Sequence, residues 1–117
     1  MTMLRKVNPL EAANAVQGLY RYEKVGALNG HVLSVVQVEN RTLDFHVHEH
    51  SDELFWVLEG AFALETEGGL LPVSQGEFAI VPKGTLHRPV VTTLCKFLMA
   101  ELDGTLNKQN SGDLYEP

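Results

Sequence analysis

The spacing of apolar and polar residues changes once along the chain. Before residue 18, Leu10, Ala13 and Val16 recur at helical intervals within NPLEAANAVQ (8–17), a narrow stripe suited to docking on a larger body. Asn8 suits the N-cap, Pro9 the first helical position, Glu11 the first turn and Gly18 the stop. After Gly18 the chain breaks into short β-type runs divided by turn residues, the pattern of an all-β sandwich or barrel. The runs are 19–25, 31–39, 42–49, 52–59, 61–67, 70–74, 77–81, 88–91 and 94–102. Turns are expected at GALNG (26–30), Asn40-Arg41, Gly60, Gly68-Gly69 and Gln75-Gly76. One more is expected at 81–84, with Pro82 second and Gly84 fourth.

HVLSVVQVE (31–39) is apolar on both faces, which fits a strand covered on both sides. No strand alternates with a helix, so a parallel α/β sheet is excluded. The expected class is all-β, closed or double-sheeted, with one short N-terminal helix. Beyond Asp103 the polar, turn-rich GTLNKQNSGDLYEP reads as an ordered loop fading into a mobile tail at 108–117.

With 117 residues, 44% hydrophobic and 21% charged, the chain has globular composition and the length of one domain, 1–117, around one core. A net charge of -6 argues against nucleic acid or an anionic membrane as partner, since both need clustered Lys and Arg. The single cysteine, Cys95, cannot form an internal disulfide and stands in an apolar run, as a small buried hydrophobe would. The first residues lack the apolar segment of a signal peptide, and no apolar run reaches membrane-spanning length. The expected compartment is the cytoplasm.

Chemistry concentrates in FHVHEHSDELFWVLEG (45–60), which holds three of the five histidines. Strand residues two apart share a face with Cα atoms about 6.6 to 7 Å apart, so His46 and His48 point together and can reach one ion. If the next strand is adjacent, Glu53 arrives beside them as an oxygen ligand, with Phe55 and Val57 on its parity and Leu54, Trp56 and Leu58 opposite. Two other arrangements compete. If the first strand runs on to residue 50, His50 joins the face and replaces Glu53, although Ser51-Asp52 is turn chemistry that swings it outward. Alternatively the histidines are surface residues of a polar strand end. An H-x-H pair beside an acid favours metal.

This stretch resembles the first motif of the cupin superfamily, H-x-H followed by Glu and then Gly, at His46, His48, Glu53 and Gly60. The second cupin motif, G-x5-P-x-G-x2-H-x3-N, is met at Gly76, Pro82, Gly84 and His87, with Val91 in place of the final Asn. The resemblance spans about residues 30–107 and is more specifically to small single-domain cupins often labelled mannose-6-phosphate isomerase-like. It implies a double-stranded β-helix (jelly-roll barrel) with one divalent metal ion (Fe, Mn, Zn, Ni or Cu) held by His46, His48, Glu53 and His87. His87 enters only through the resemblance.

Three His and one carboxylate leave up to two positions on an octahedral ion for a small-molecule ligand or substrate. One reading is a metal-dependent enzyme of dioxygenase or isomerase type. Isomerases also need a general base near the substrate, and the one acid that shares the ligand face is Asp44, although a strand-start Asp is more commonly exposed to water. The other reading is a non-catalytic module that binds or senses a small metabolite. Phe55, Val57, Phe78 and Ile80 are expected to line the interior, Tyr20 and Tyr22 to pack at an edge or border the mouth, and Arg88 to point away from His87. The outward row Leu54, Trp56 and Leu58 needs cover from the N-terminal helix or from a second subunit, and a C₂ homodimer is expected.

Overall fold

In a computed structural model, residues 4–104 are described. One helix, α1 (Pro9–Ala15), precedes nine strands: β1 (Glu23–Leu28), β2 (His31–Val38), β3 (Arg41–Thr42), β4 (Glu53–Glu59), β5 (Ala61–Thr66), β6 (Gly69–Ser74), β7 (Phe78–Val81), β8 (Arg88–Val91) and β9 (Cys95–Leu102). They form two antiparallel sheets, one ordered β1-β2-β9-β4-β7 and the other β3-β8-β5-β6. This is the two-layered architecture of a double-stranded β-helix. The tail expected at 108–117 lies outside the described residues, as do residues 1–3.

Helix α1 starts as its sequence dictates: the Asn8 side chain accepts from Glu11 N–H at 3.1 Å and Pro9 opens the first turn. Its last carbonyls are met from outside, Gln37 Nε2 donating to Ala13 O at 2.7 Å and to Val16 O at 3.2 Å. The helix lies on the outer face of the larger sheet, where Ala13 packs with Val35 and Leu98, flanked by Leu33, Leu54 and Leu58. This cover explains why β2 is apolar on both faces.

Between the sheets, Phe55, Phe62 and Phe97 form a ring cluster with centroids 5.2 to 5.6 Å apart. Each is buried, which contributes about 1.5 to 3 kcal/mol before any ring–ring term. Cys95 is fully buried among them, and burial pushes its thiol up to about 12, the state of a packing residue.

Four local expectations are corrected. The first strand begins at Glu23 and runs through 26–28, where a turn was expected, because Gly18 and Tyr20 hold left-handed backbone and break the 19–22 segment. The hairpin turn is Asn29-Gly30, both left-handed, and it joins Leu28 to its partner His31. Residues 42–49 do not form a continuous strand: ladder pairing is confined to Arg41–Thr42, with one further backbone bond from Leu43 N–H to Pro89 O and one isolated bridge, His46 with His87. The turn after β7 is closed by Thr85 N–H donating to Pro82 O, one residue later than expected, with left-handed Gly84 third.

The fourth correction is one of parity. Phe78 and Ile80 face outward, 58% and 55% exposed, while Ala79 and Val81 are buried. Register decides this: Val81 pairs with Glu53 and Ala79 with Phe55, so the inward side of β4 selects the odd residues of β7. Phe78 then pairs with Trp56 and Ile80 with Leu54 on the outer face.

Candidate metal centre

Three segments meet at one end of the barrel. The backbone bridge between His46 and His87, N–H to carbonyl at 3.0 and 3.1 Å in the two directions, sets their rings side by side with centroids 4.5 Å apart. The turn that delivers His87 is clasped from below: Gly84 N–H donates to His48 O at 2.8 Å and Lys83 N–H to Asp52 Oδ1 at 2.8 Å. Glu53 opens β4 beside them. One ligand-type atom from each of His46, His48, Glu53 and His87 lies within 4.8 Å of the others. Donors on opposite sides of an ion at bond lengths of about 2.1 Å stand about 4.2 Å apart, so shifts of a few tenths of an ångström close the set.

The ring orientations suit that use. His46 Nδ1 donates to Asp44 O at 2.8 Å and His87 Nδ1 to Thr85 O at 2.8 Å, leaving Nε2 of each turned inward. His87 Nε2 is 2.7 Å from Glu53 Oε1. His48 Nε2 is 3.3 Å from Glu53 Oε2, without hydrogen-bond geometry, and is a buried ring nitrogen with no hydrogen-bond partner among the described residues. A buried nitrogen left in that state is costly in a finished protein and is what a ligand nitrogen is when its ion is absent. On this observation the four residues fit a divalent metal.

Charge follows from the same contacts. Burial alone raises the Glu53 carboxyl, yet His48 and His87 outweigh it and hold Glu53 well below the usual carboxylate range. Burial lowers His87, but the hydrogen bond and charge of Glu53 and the Thr85 carbonyl reverse this and leave it raised. His46 is lowered, chiefly by burial.

His50 is exposed and takes no part, and His31 stands at the start of β2 away from the cluster. Arg88 turns outward, ion-paired with Glu65 at 2.7 Å and seated over the Phe45 ring at 4.3 Å. Asp44 takes the commoner course of a strand-start Asp, and a different acid stands inside. Asp44 is exposed and contributes its backbone carbonyl to His46, whereas Glu101, only 4% exposed, lies inside next to Glu53. Its parity in β9 is that of the buried Cys95, Phe97 and Met99, but Leu98 on the other parity is buried as well, so alternation within the strand does not by itself single out the inward side. Glu101 Oε2 and the fully buried Ser34 Oγ have no hydrogen-bond partner among the described residues.

Burial, then the charge and hydrogen bonding of Glu53, push the Glu101 carboxyl up to about 9. A folded value above the unfolded one gives stability that is complete below about 4.5 and lost as pH rises through the folded value. His87 acts in the same sense from its ordinary 6.5 upward. Metal-free protein is therefore expected to melt lower at about pH 8 than at about pH 6, and Glu101→Gln to reduce the difference. Melting curves at the two pH values check this; an unchanged difference in the variant would show that Glu101 ionises freely.

Beside the ligand cluster is a cavity of about 20 Å³. Its walls are apolar side chains of both sheets together with Tyr20 and Tyr22, while His46 and Glu53 form its polar end. Among the described residues no helix is long and apolar enough to cross a membrane.

Residues 32–101 match the cupin domain family. The chain belongs to the cupin superfamily. It is 32% identical over 87 residues to the uncharacterized protein YdbB of Bacillus subtilis, covering 74% of this chain and 76% of that protein. A cupin-2 domain protein from Shewanella frigidimarina superposes with a TM-score of 0.77 at 24% identity, over 82% of this chain and 93% of that one. A sugar phosphate isomerase from a cupin superfamily in Silicibacter pomeroyi superposes with a TM-score of 0.60 at 26% identity, over 69% of this chain and 57% of that one.

Proposed function

We propose that this cupin, read as one domain over 1–117, binds one divalent metal ion through His46, His48, Glu53 and His87 and uses it on a small metabolite. The observation that carries the reading is the buried His48 Nε2 with no hydrogen-bond partner among the described residues, in a cluster that already holds two further imidazoles and a carboxylate. The ion supplies Lewis acidity or a site for O₂, and Fe, Mn, Zn, Ni and Cu all accept this mixed nitrogen and oxygen set.

Of the enzyme types, a dioxygenase fits better than an isomerase. An isomerase needs a base within reach of the substrate; among the described residues the cavity lining holds no carboxylate besides the ligand Glu53, and the neighbouring Glu101 is kept protonated by its burial and the charge of Glu53. The label of sugar phosphate isomerase belongs to a relative in fold and does not transfer on that ground. Fe(II) loaded anaerobically into the protein and then exposed to air is expected to give substrate-dependent O₂ uptake among small keto acids, thiols and diketones. If no metal-dependent turnover follows with any of these or with sugar phosphates, the protein is a non-catalytic module that binds or senses a metabolite.

The cytoplasm is the proposed compartment, because the lone buried Cys95 asks for no oxidising environment; recovery of the protein from the extracytoplasmic fraction would refute it. A C₂ homodimer is proposed as the assembly. Helix α1 covers Leu54 and Leu58 but leaves Trp56, Phe78 and Ile80 adjoining and more than 40% exposed on the outer face of β4 and β7. A monomer in sedimentation equilibrium at tens of micromolar would rule out the dimer.

A further inference from the structure

We infer that the cavity beside the metal centre selects oxygen-donor ligands with a compact, uncharged apolar body, and that Tyr20 and Tyr22 are the residues that set this selection. The inference rests on the metal reading above, since the ion is the anchor for the ligand's polar head.

The lining carries the argument. Apart from the ligand end, the walls are Val38, Leu43, Phe97, Met99 and similar side chains, and among the described residues neither Lys nor Arg reaches them. Among the described residues the one carboxylate of the lining is Glu53, at the ligand end. A phosphate or second carboxylate on the ligand's body would be buried against these apolar walls, away from the ion that its head occupies and with no Lys or Arg of the described lining to meet it, a cost an apolar body avoids. The nearby arginines are engaged elsewhere: Arg41 lies over the Tyr20 ring at 4.4 Å, and Arg88 is held by Glu65 and Phe45. At about 20 Å³ the cavity holds little more than one water, so a body of a few carbons fills it only with some outward movement of a wall.

Tyr22 is the wall that gives way, and Tyr20 anchors the connector beside it. They belong to the connector between α1 and β1, whereas most of the lining is fixed in the two sheets. The connector is pinned at Tyr20, whose N–H donates to Gln37 O at 2.8 Å and whose hydroxyl donates to Glu39 O at 3.3 Å. Its φ of 59 is a left-handed conformation that a tyrosine keeps only where its surroundings enforce it. The backbone is thus strained to place an aromatic ring against the cavity, with the hydroxyl tied to the Glu39 carbonyl. This aims a flat apolar surface at the body of whatever the metal holds.

Two acids with the same 2-oxo-acid head test this, 4-methyl-2-oxopentanoate with a branched aliphatic body and 2-oxoglutarate with a carboxylate on a body of similar length. Both are titrated into Co(II)-loaded protein while the visible cobalt bands are followed. The aliphatic acid is expected to bind at least about tenfold more tightly. Tyr22→Ala and Tyr20→Ala each reduce that preference by about fivefold without altering Co(II) affinity, while the Phe variants retain it. Equal affinity, a preference for 2-oxoglutarate, binding of neither acid, or a preference unchanged in both Ala variants overturns the inference. If the cobalt bands fail to develop before any acid is added, the metal reading has failed and the inference falls with it. The wild-type comparison stands even if a variant does not fold.

Discussion

His87→Ala is expected to lower divalent-metal affinity by more than about 100-fold, beyond the range set by losing an outer hydrogen-bond partner of a ligand. Three roles vanish together: the ring facing Glu53 at 2.7 Å, the tautomer fixed by Thr85 O, and the partner that shares the buried Glu53 charge. The metal-free variant should also unfold at higher pH on acidification. Glu53 has a depressed folded value, so its contribution is present above about 4.5 and lost as pH falls toward about 2, and His87 supplies part of that depression. Competition with a chromophoric chelator reads the affinity, and circular dichroism during acid titration reads the stability. His46→Ala, at a half-buried ring outside the close Glu53 contacts, separates ligand loss from unfolding. Unchanged metal content in a folded double variant would sink the assignment.

Gly60→Ala is expected to be the most damaging single-methyl change in the fold. The residue has φ of 88, and an added Cβ would stand 2.5 Å from the Leu94 carbonyl oxygen and 3.2 Å from Cys95 Cα. All of these atoms are backbone, which leaves nothing to yield easily. Left-handed strain of about 1 to 2 kcal/mol adds to that clash, for about 3 kcal/mol or more in all. For a chain of this length the melting temperature should fall by about 10 °C or more. Gly76→Ala is the matched control, because it is also left-handed, φ 86, but its Cβ would meet nothing within 4 Å. It should lose only the strain, about 1 to 2 kcal/mol. Equal losses in the two variants would show that the contact with Leu94 is not limiting.

The register of β4, β9 and β7 explains both the success and the failure of reading faces from sequence. Within β4 the alternation of Glu53, Phe55 and Val57 against Leu54 and Trp56 is local, and it holds because a strand has period two. Which parity of β7 faces inward is not local. Phe78 and Ile80 are more hydrophobic than Ala79, so composition points the wrong way, and only the pairing of Val81 with Glu53 settles it. The same limit hid Glu101, an acid in an apolar strand that a sequence reading leaves at the surface until its neighbour across the sheet is known.

The sequence by itself determined the all-β class, the capped N-terminal helix, the inward face of β4 and, through two cupin motifs, the residues to watch. These are short-range properties, set by periodicity, capping chemistry and spacing. Tertiary structure alone decided that His46 and His87 are bridged through their backbones, that Tyr20 and Tyr22 close a cavity, and that Glu101 lies against Glu53. The last pair is 48 positions apart in sequence, and β4 and β9 become neighbours only when the sheet forms. The 41-residue span from His46 to His87 is closed in the same way, by strand pairing and the clasped turn at Gly84.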